Sequence, residues 1–176
     1  MKRKLTLQIL SFTIVLAFLC IPSALNAQGS KANFSGKWVF NESKSNMGEA
    51  SQGGGQRRGF GGGDFTAAQE TNLLTVESTR PNRDGGTTTS TSKYTLDGKE
   101  SINSTGRGDS KSVATWSADG KSLTIVTTRT FERDGQSTEM KTTEVWSLTD
   151  AKTLSIVQTM NTPNGERKTT RVYDKQ

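Results

Sequence analysis

Three polar side chains in the second half of the chain, Glu144, Gln158 and Arg171, stand two positions away from large apolar ones. Those second neighbours are, in the same order, Trp146, Ile156 and Tyr173. Successive side chains of a β-strand point to opposite faces, so a residue and its second neighbour share a face. A carboxylate, an amide and a guanidinium on an apolar face are either partners of one another or contacts for a polar group of a bound molecule.

The residue types that the chain lacks restrict its chemistry. It has no His, and its one Cys, Cys20, lies near the amino terminus. Ser-His-Asp and Cys-His catalysis, and most zinc and copper sites, require one of these residue types. A pair of acids can cleave a glycosidic bond without His, but no second inward-facing carboxylate is expected beside Glu144. We therefore expect no enzymatic activity, no metal site and no cofactor.

Turn dipeptides recur through the second half of the chain and define the elements that position these residues. They are Asp97-Gly98, Asp119-Gly120, Asp134-Gly135, Asp150-Ala151 and Asn164-Gly165. Asp-Gly and Asn-Gly accept the positive φ angles of tight hairpin turns, and the stretches between them alternate in polarity. The pattern predicts one antiparallel up-and-down meander from about residue 87 to residue 175.

Short turns also predict which residues face each other across neighbouring strands. The turns at Asp119-Gly120 and Asp134-Gly135, an odd-numbered turn near Asp150 and a turn at Asn164-Gly165 give two rows on one face. The first row is Trp116, Leu123, Trp146, Ile156 and Tyr173. The second row is Ala114, Ile125, Glu144, Gln158 and Arg171, with Arg129 and Met160 on the same face.

The polar end of the second row has two interpretations, and the sequence leaves both open. A buried charge is costly unless it is paired, so Glu144, Gln158 and Arg171 could satisfy one another. Alternatively, the interior is wet, and these residues together with Arg129 contact the polar head of a ligand.

The first 27 residues have the three parts of an export signal. The basic residues Lys2, Arg3 and Lys4 precede an apolar run from Leu5 to Ile21, and small residues follow up to Ala27. We predict a signal peptide at 1–27 and a single domain at 28–176, exported to the periplasm or out of the cell. The apolar run is short for a membrane span, so no transmembrane span is expected after cleavage.

The charge of the chain gives little support for a nucleic-acid partner. Removal of 1–27 takes away three of the 23 basic residues and none of the 17 acids, so the net charge falls from +6 to +3. Residues 47–64 include two Gly-Gly-Gly triplets and Arg57-Arg58, and such a segment can bury almost nothing. We predict a disordered glycine-rich loop there and no nucleic-acid partner.

The two ends of the predicted domain carry a family resemblance. The first strand, Phe34 to Phe40, contains Gly36-x-Trp38 and resembles the opening strand of lipocalins and fatty-acid-binding proteins. The last strand, Thr169 to Lys175, resembles the closing strand of fatty-acid-binding proteins. The chain also resembles small exported bacterial proteins of unknown function. The resemblance implies an all-β, lipocalin-like (calycin) barrel of about 8–10 strands, with a signature and core of Gly36, Trp38, Trp116 and Trp146.

The resemblance also implies roles for Arg171 and Tyr173. In fatty-acid-binding proteins an Arg and a Tyr two residues apart on the last strand hold the ligand carboxylate, and these two residues match that pattern. In the wider superfamily a cationic side chain near the end packs on the first-strand Trp, which gives Arg171 an alternative role over Trp38. Fatty-acid-binding proteins are cytosolic and carry a helix pair where this chain has the glycine-rich loop.

Two functions are consistent with these features. The first is an exported, monomeric protein that binds a small hydrophobic or amphiphilic molecule inside the barrel. The contacts would be Arg171, Tyr173, Glu144, Gln158 and Arg129. The alternative is a structural or interaction module of the bacterial envelope with a packed interior and no ligand. An accessible interior favours the first function, and an interior filled by side chains favours the second.

Overall fold

The structure is a computed structural model that describes residues 30–48, 63–81, 85–105, 108–133, 136–162 and 165–176. The predicted signal peptide at 1–27 lies outside these residues. So does the predicted glycine-rich loop at 47–64, apart from two residues at each of its ends. Both therefore stay predictions.

The described residues form ten antiparallel β-strands, and none of them is helical. The strands are β1 (Gly36–Asn46), β2 (Phe65–Gln69), β3 (Leu73–Pro81), β4 (Thr87–Thr95), β5 (Glu100–Thr105), β6 (Gly108–Trp116), β7 (Ser122–Arg133), β8 (Gln136–Asp150), β9 (Thr153–Thr162) and β10 (Gly165–Lys175). The order in the sheet is β4-β3-β2-β1-β10-β9-β8-β7-β6-β5. Strands that are neighbours in sequence pair with each other, except β4 with β5, and β1 pairs with β10. The predicted all-β meander is therefore confirmed as a nearly closed ten-stranded barrel.

A seam between β4 and β5 is closed by side chains instead of a backbone ladder. The Lys93 N–H donates to Asn103 Oδ1 at 2.7 Å, and Asn103 Nδ2 donates to the Lys93 carbonyl at 3.0 Å. The Thr95 N–H donates to Ser101 Oγ at 2.8 Å. Asn103 and Ser101 are both buried. One side-chain amide thus replaces a peptide group and satisfies a strand edge that would otherwise be unpaired.

The predicted register is confirmed from β6 to β9. Trp116 pairs with Leu123, Leu123 with Trp146, and Trp146 with Ile156. The register shifts between Leu148 and Asp150, as the odd-numbered turn requires. Each of these strands therefore presents its expected face to the interior.

The predicted register between β9 and β10 is wrong by two residues. Tyr173 pairs with Leu154 and Arg171 with Ile156, because the ladder begins with Thr162 opposite Gly165. Gly165, with a φ of 108°, is therefore a strand residue and not part of the turn. A shift of two positions keeps the same face inward, so Arg171 and Tyr173 still point into the barrel.

Aromatic side chains fill one end of the barrel, and we call Phe34, Phe65, Trp116, Trp146 and Tyr173 the floor cluster. Phe34 stacks on Trp116 with ring centroids 5.8 Å apart and an interplanar angle of 7°. Phe65 contacts both Trp146 at 5.5 Å and Tyr173 at 4.9 Å. Trp116 is partly exposed and the other four are buried. Such contacts add about 0.5–1.5 kcal/mol per ring pair to the burial of area, so this end is the stable core.

We predict that Asn103→Leu opens the seam and lowers the free energy of unfolding by about 2 kcal/mol, because the Lys93 peptide groups lose their partner. Urea unfolding measures this loss, and hydrogen exchange should show faster exchange at Lys93. The matched control is Asn161→Leu, at an exposed position of β9. Equal stability of the two variants would contradict a closing role for Asn103.

Candidate ligand-binding site

Glu144, Gln158 and Arg171 contact one another on the inner face of β8, β9 and β10. Arg171 Nη2 donates to Glu144 Oε1 at 2.6 Å, and Gln158 Nε2 donates to the same oxygen at 3.0 Å. Trp146 Nε1 donates to Glu144 Oε2 at 3.2 Å. The corrected register explains the geometry, because Arg171 lies opposite Ile156 and reaches across β9 to the carboxylate. Glu144 therefore accepts three hydrogen bonds from its own barrel.

The Glu144–Arg171 ion pair is largely removed from solvent. The Arg171 side chain is 15% exposed and that of Glu144 is 21% exposed. Burial alone would lower the pKa of the Arg171 guanidinium, but the charges of Glu144 and Tyr173 outweigh it and raise that pKa above its ordinary value. The Glu144 carboxylate thus binds the guanidinium that the resemblance assigns to a ligand.

Tyr94 of β4 belongs to the same interior, although sequence reasoning did not select it. Burial raises the pKa of its phenol to about 12, and the negative charge of Glu144 acts in the same direction. A hydrogen bond with Ser92 and the charges of Arg129 and Arg171 act in the opposite direction. The phenol therefore lies within the field of the interior charges. The alternation of β4 could have shown that Tyr94 points inward. It could not have shown that Tyr94 lies near Glu144 of β8, across the barrel.

Tyr173 lies at the boundary between the floor cluster and the ion pair. It is buried, and its ring contacts Phe40 at 5.6 Å. Burial raises the pKa of its phenol, Glu144 adds to the increase, and Arg171 and Arg80 oppose it. Arg171 of β10 and Arg80 of β3 thus both act on the Tyr173 hydroxyl.

Arg129 points into the barrel from β7, as the sequence predicts. Its Nε is buried and has no hydrogen-bond partner among the described residues, and its guanidinium lies 5.9 Å from the Phe131 ring. Arg171 Nε and Trp116 Nε1 are buried donors in the same condition. A buried donor without an acceptor costs about 1–3 kcal/mol, so an acceptor at these positions would stabilise the fold.

The interior changes character from the floor cluster toward the opposite end, which we call the mouth half. Leu123 and Arg129 are six positions apart on β7, which is about 20 Å along the strand. The inner-facing residues of the mouth half are mainly hydroxylic or long polar side chains: Ser110, Ser112, Thr127, Arg129, Met140, Thr142, Gln158, Met160, Arg167 and Thr169. Apolar packing therefore holds one end of the barrel, and polar groups line the other.

A small recess lies between β9 and β10 in the mouth half. It is lined by Gln158, Met160, Arg167 and Thr169 and has a volume of about 10 Å³. This volume is about that of one water probe. The recess by itself holds no larger molecule.

The alternative role of Arg171 over Trp38 is wrong, because Lys175 occupies that position. Lys175 Nζ lies 5.4 Å from the centroid of the Trp38 ring. Its side chain crosses Gly36 so closely that a Cβ at Gly36 would collide with Lys175 Cε. The Gly-x-Trp signature is thus explained by packing, since the Lys175 side chain passes over Gly36 to reach Trp38. Arg171 is therefore available for contacts in the interior.

Across the described ranges, no helix is long and apolar enough to cross a membrane. In the same part of the chain, no three His, Cys, Asp or Glu side chains form a group that could hold a metal ion.

The domain has the calycin barrel fold, as the sequence predicts. A search of solved structures matches the zebrafish ileal bile acid-binding protein complexed with cholic acid, with a TM-score of 0.55. The match has 19% sequence identity and covers 81% of this chain and 98% of that one. Comparison of the sequence with protein-family models and with curated proteins finds no match.

We predict that Glu144→Gln lowers the free energy of unfolding by about 3 kcal/mol, because the substitution leaves the Arg171 charge buried without a counter-charge. The matched control is Glu100→Gln, whose partner Lys111 is 61% exposed and which we expect to lose less than about 1 kcal/mol. Urea unfolding of both variants measures the difference. Equal losses would show that the interior ion pair contributes no more to stability than the exposed one.

We predict that neither tyrosine ionises near pH 10 in the folded protein. The chain has two tyrosines, and both phenols have raised pKa values, that of Tyr94 to about 12. A pKa raised on folding contributes stability that is present below about pH 10 and is lost as the pH rises toward 12. Absorbance at 295 nm measures tyrosinate directly, with the urea-unfolded protein as the control. A folded-state transition near pH 10 would contradict the burial of both hydroxyls.

Proposed function

We propose that this chain is an exported, non-catalytic binding protein that holds a small hydrophobic or amphiphilic molecule in the mouth half of its barrel. The observation that carries the proposal is the pair of buried guanidinium donors, Arg129 Nε and Arg171 Nε, which have no acceptor among the described residues. A polar group of a ligand supplies such an acceptor, and its apolar part lies against Met140, Met160 and the top of the floor cluster.

The electrostatics of the interior support a ligand with a polar end. The Arg129 and Arg171 charges both act on the Tyr94 phenol, and Glu144 neutralises only one of the two guanidinium groups. The solved neighbour supports the same reading, because a barrel of this fold is complexed with cholic acid, an amphiphile. The export part of the proposal rests on residues 1–27 alone.

A second function, a packed module of the envelope without a ligand, is supported by a different observation. The floor cluster fills one end of the barrel, and Glu144 already accepts three hydrogen bonds. An interior whose polar side chains pair with one another needs no ligand. The unpartnered Nε atoms of Arg129 and Arg171 in the mouth half favour the binding protein over this alternative.

The two functions differ in the response to an amphiphile. The chain has three Trp residues, Trp38, Trp116 and Trp146, and all three lie at the barrel interior, so their emission should report binding of dodecanoate. We predict that Thr142→Phe, which fills the mouth half, weakens binding about tenfold or more. The matched control is Thr143→Phe, one position along β8 and therefore on the outer face, which should bind as the unchanged protein does.

Two results would contradict the proposal. Absence of dodecanoate binding by the unchanged protein supports the packed module, and equal weakening by Thr142→Phe and Thr143→Phe places the ligand elsewhere. Native mass spectrometry of protein recovered from its own cells reads out a retained small molecule as well. It also tests export, because cleavage after Ala27 gives a chain that begins at Gln28.

A further inference from the structure

The seam between β4 and β5 interrupts the wall of the barrel. The two strands are the ends of the strand order, so no backbone ladder joins them. Among the described residues, the hydrogen bonds across the seam lie at two levels, Thr95 with Ser101 and Lys93 with Asn103. We call Ser101 and Asn103 the clasp. By contrast, the ladder between β7 and β8 extends over the whole of β7. The wall can therefore separate at the seam without breaking a backbone ladder.

The clasp residues hold β4 through their side chains. The Asn103 amide accepts a hydrogen bond from the Lys93 N–H at 2.7 Å and donates one to the Lys93 carbonyl at 3.0 Å. Ser101 Oγ accepts one from the Thr95 N–H at 2.8 Å. A side chain moves between staggered rotamers, whereas a ladder breaks only when two backbones separate. Release of the clasp therefore needs side-chain rotation and a displacement of β4 from β5, and the ladders on the far sides of both strands stay intact.

The clasp lies in the same row across the strands as Arg129. Asn103 pairs with Ser110, and Ser110 pairs with Arg129. Neighbouring strands are about 4.8 Å apart, so Arg129 is about 10 Å round the barrel from Asn103. The Ser110 hydroxyl between them donates to the Asn103 carbonyl at 3.0 Å. A molecule that passes the seam at this level thus meets Arg129 Nε, a buried donor without an acceptor among the described residues.

Small side chains form the inner wall on both sides of the seam. Ser110 and Ser112 of β6 are buried. On β4, Ser90 and Ser92 take the inward positions of the alternation that also points Tyr94 inward. The floor cluster differs, because its rings stack with centroids 5.8 Å apart and fill their end of the barrel. A hydrocarbon chain therefore meets less obstruction at the seam than at the floor cluster.

We propose that the ligand enters the barrel sideways through the seam, and that the clasp controls the rate of entry. This inference rests on the proposed function and concerns the route to the same site. In the closed state the clasp satisfies the Lys93 peptide groups and the Thr95 N–H, and in the open state water satisfies them. The closed state is favoured, so the rate of binding depends on how often the clasp opens. Because the clasp closes again behind the ligand, it affects association and dissociation alike and leaves the dissociation constant nearly unchanged.

A disulfide across the seam tests this route. The Thr95 and Ser101 hydroxyl oxygens are 3.1 Å apart, so Thr95→Cys combined with Ser101→Cys brings two thiols within reach of a disulfide. The one Cys of the chain, Cys20, is replaced by Ser in every variant. Stopped-flow Trp emission measures the association of dodecanoate with the oxidised and reduced forms of the same protein. We expect the oxidised form to bind about tenfold or more slowly, with a dissociation constant within about threefold of that of the reduced form.

The matched control is a disulfide between two strands that a ladder already joins. The Ser78 and Ser90 hydroxyl oxygens are 2.8 Å apart, and the two residues are partners in the ladder between β3 and β4. Ser78→Cys combined with Ser90→Cys adds the same cross-link one strand away from the seam. Its oxidised and reduced forms should bind dodecanoate at equal rates, and mass spectrometry verifies the cross-link in both proteins.

A weaker clasp should have the opposite effect. Asn103→Ala removes both hydrogen bonds to Lys93, and we expect it to raise the association and dissociation rates of dodecanoate about threefold or more. The matched control is Asn161→Ala, at an exposed position of β9, which should leave both rates unchanged. These rates decide the question if the cysteine pair across the seam does not form its disulfide.

Three results would overturn the inference while the proposed function stands. They are an unchanged association rate in the verified cross-linked seam, equal slowing by the Ser78–Ser90 cross-link, and no acceleration in Asn103→Ala. The first and third place the entrance elsewhere, as at the mouth half, and the second shows that any cross-link slows binding. A dissociation constant more than about tenfold weaker in the cross-linked seam would also overturn it, because the clasp would then belong to the bound complex. Absence of dodecanoate binding by the unchanged protein overturns the proposed function and this inference together.

Discussion

The register of the sheet is the constraint on which the interior depends. Side chains alternate along each strand, and the ladders from β6 through β7, β8 and β9 to β10 place inward-facing residues of neighbouring strands opposite one another. A slip of one residue at any of these ladders would turn Glu144 or Arg171 to solvent and bring its outward neighbour inside. The ion pair between these two residues at 2.6 Å is therefore a consequence of four ladders that agree.

The interior divides into two regions with different physical roles. The floor cluster buries large aromatic side chains and belongs to the hydrophobic core. The mouth half buries hydroxyls, guanidinium groups and one paired carboxylate, which contribute less stability because their desolvation offsets their hydrogen bonds. The proposed binding site lies in this polar half. Two buried donors of the mouth half, Arg129 Nε and Arg171 Nε, have no acceptor among the described residues.

Much of this arrangement could be predicted from the sequence, and the failures have physical causes. Asp-Gly turns fix the number of loop residues, so the ladders around Leu123 and Trp146 were predictable. The Asn164-Gly165 dipeptide led to the wrong register between β9 and β10, because Gly165, with its positive φ, is a strand residue at the start of β10. Tyr94 approaches the ion pair across the barrel, and contacts of this kind do not follow from neighbouring strands. Lys175 and Arg171 both suit a ring contact by residue type, and only the crossing at Gly36 distinguishes them.

The most direct test of the account is the behaviour of the buried guanidinium groups when a ligand enters. The Nε–Hε signals of Arg129 and Arg171 can be observed in proton–nitrogen correlation spectra, and Arg129→Gln assigns one of them. If the mouth half is the binding site, addition of dodecanoate shifts both signals. If both signals stay in place while the amide signals of the outer residues Lys141 and Lys168 move, the ligand binds outside the barrel and the account is wrong.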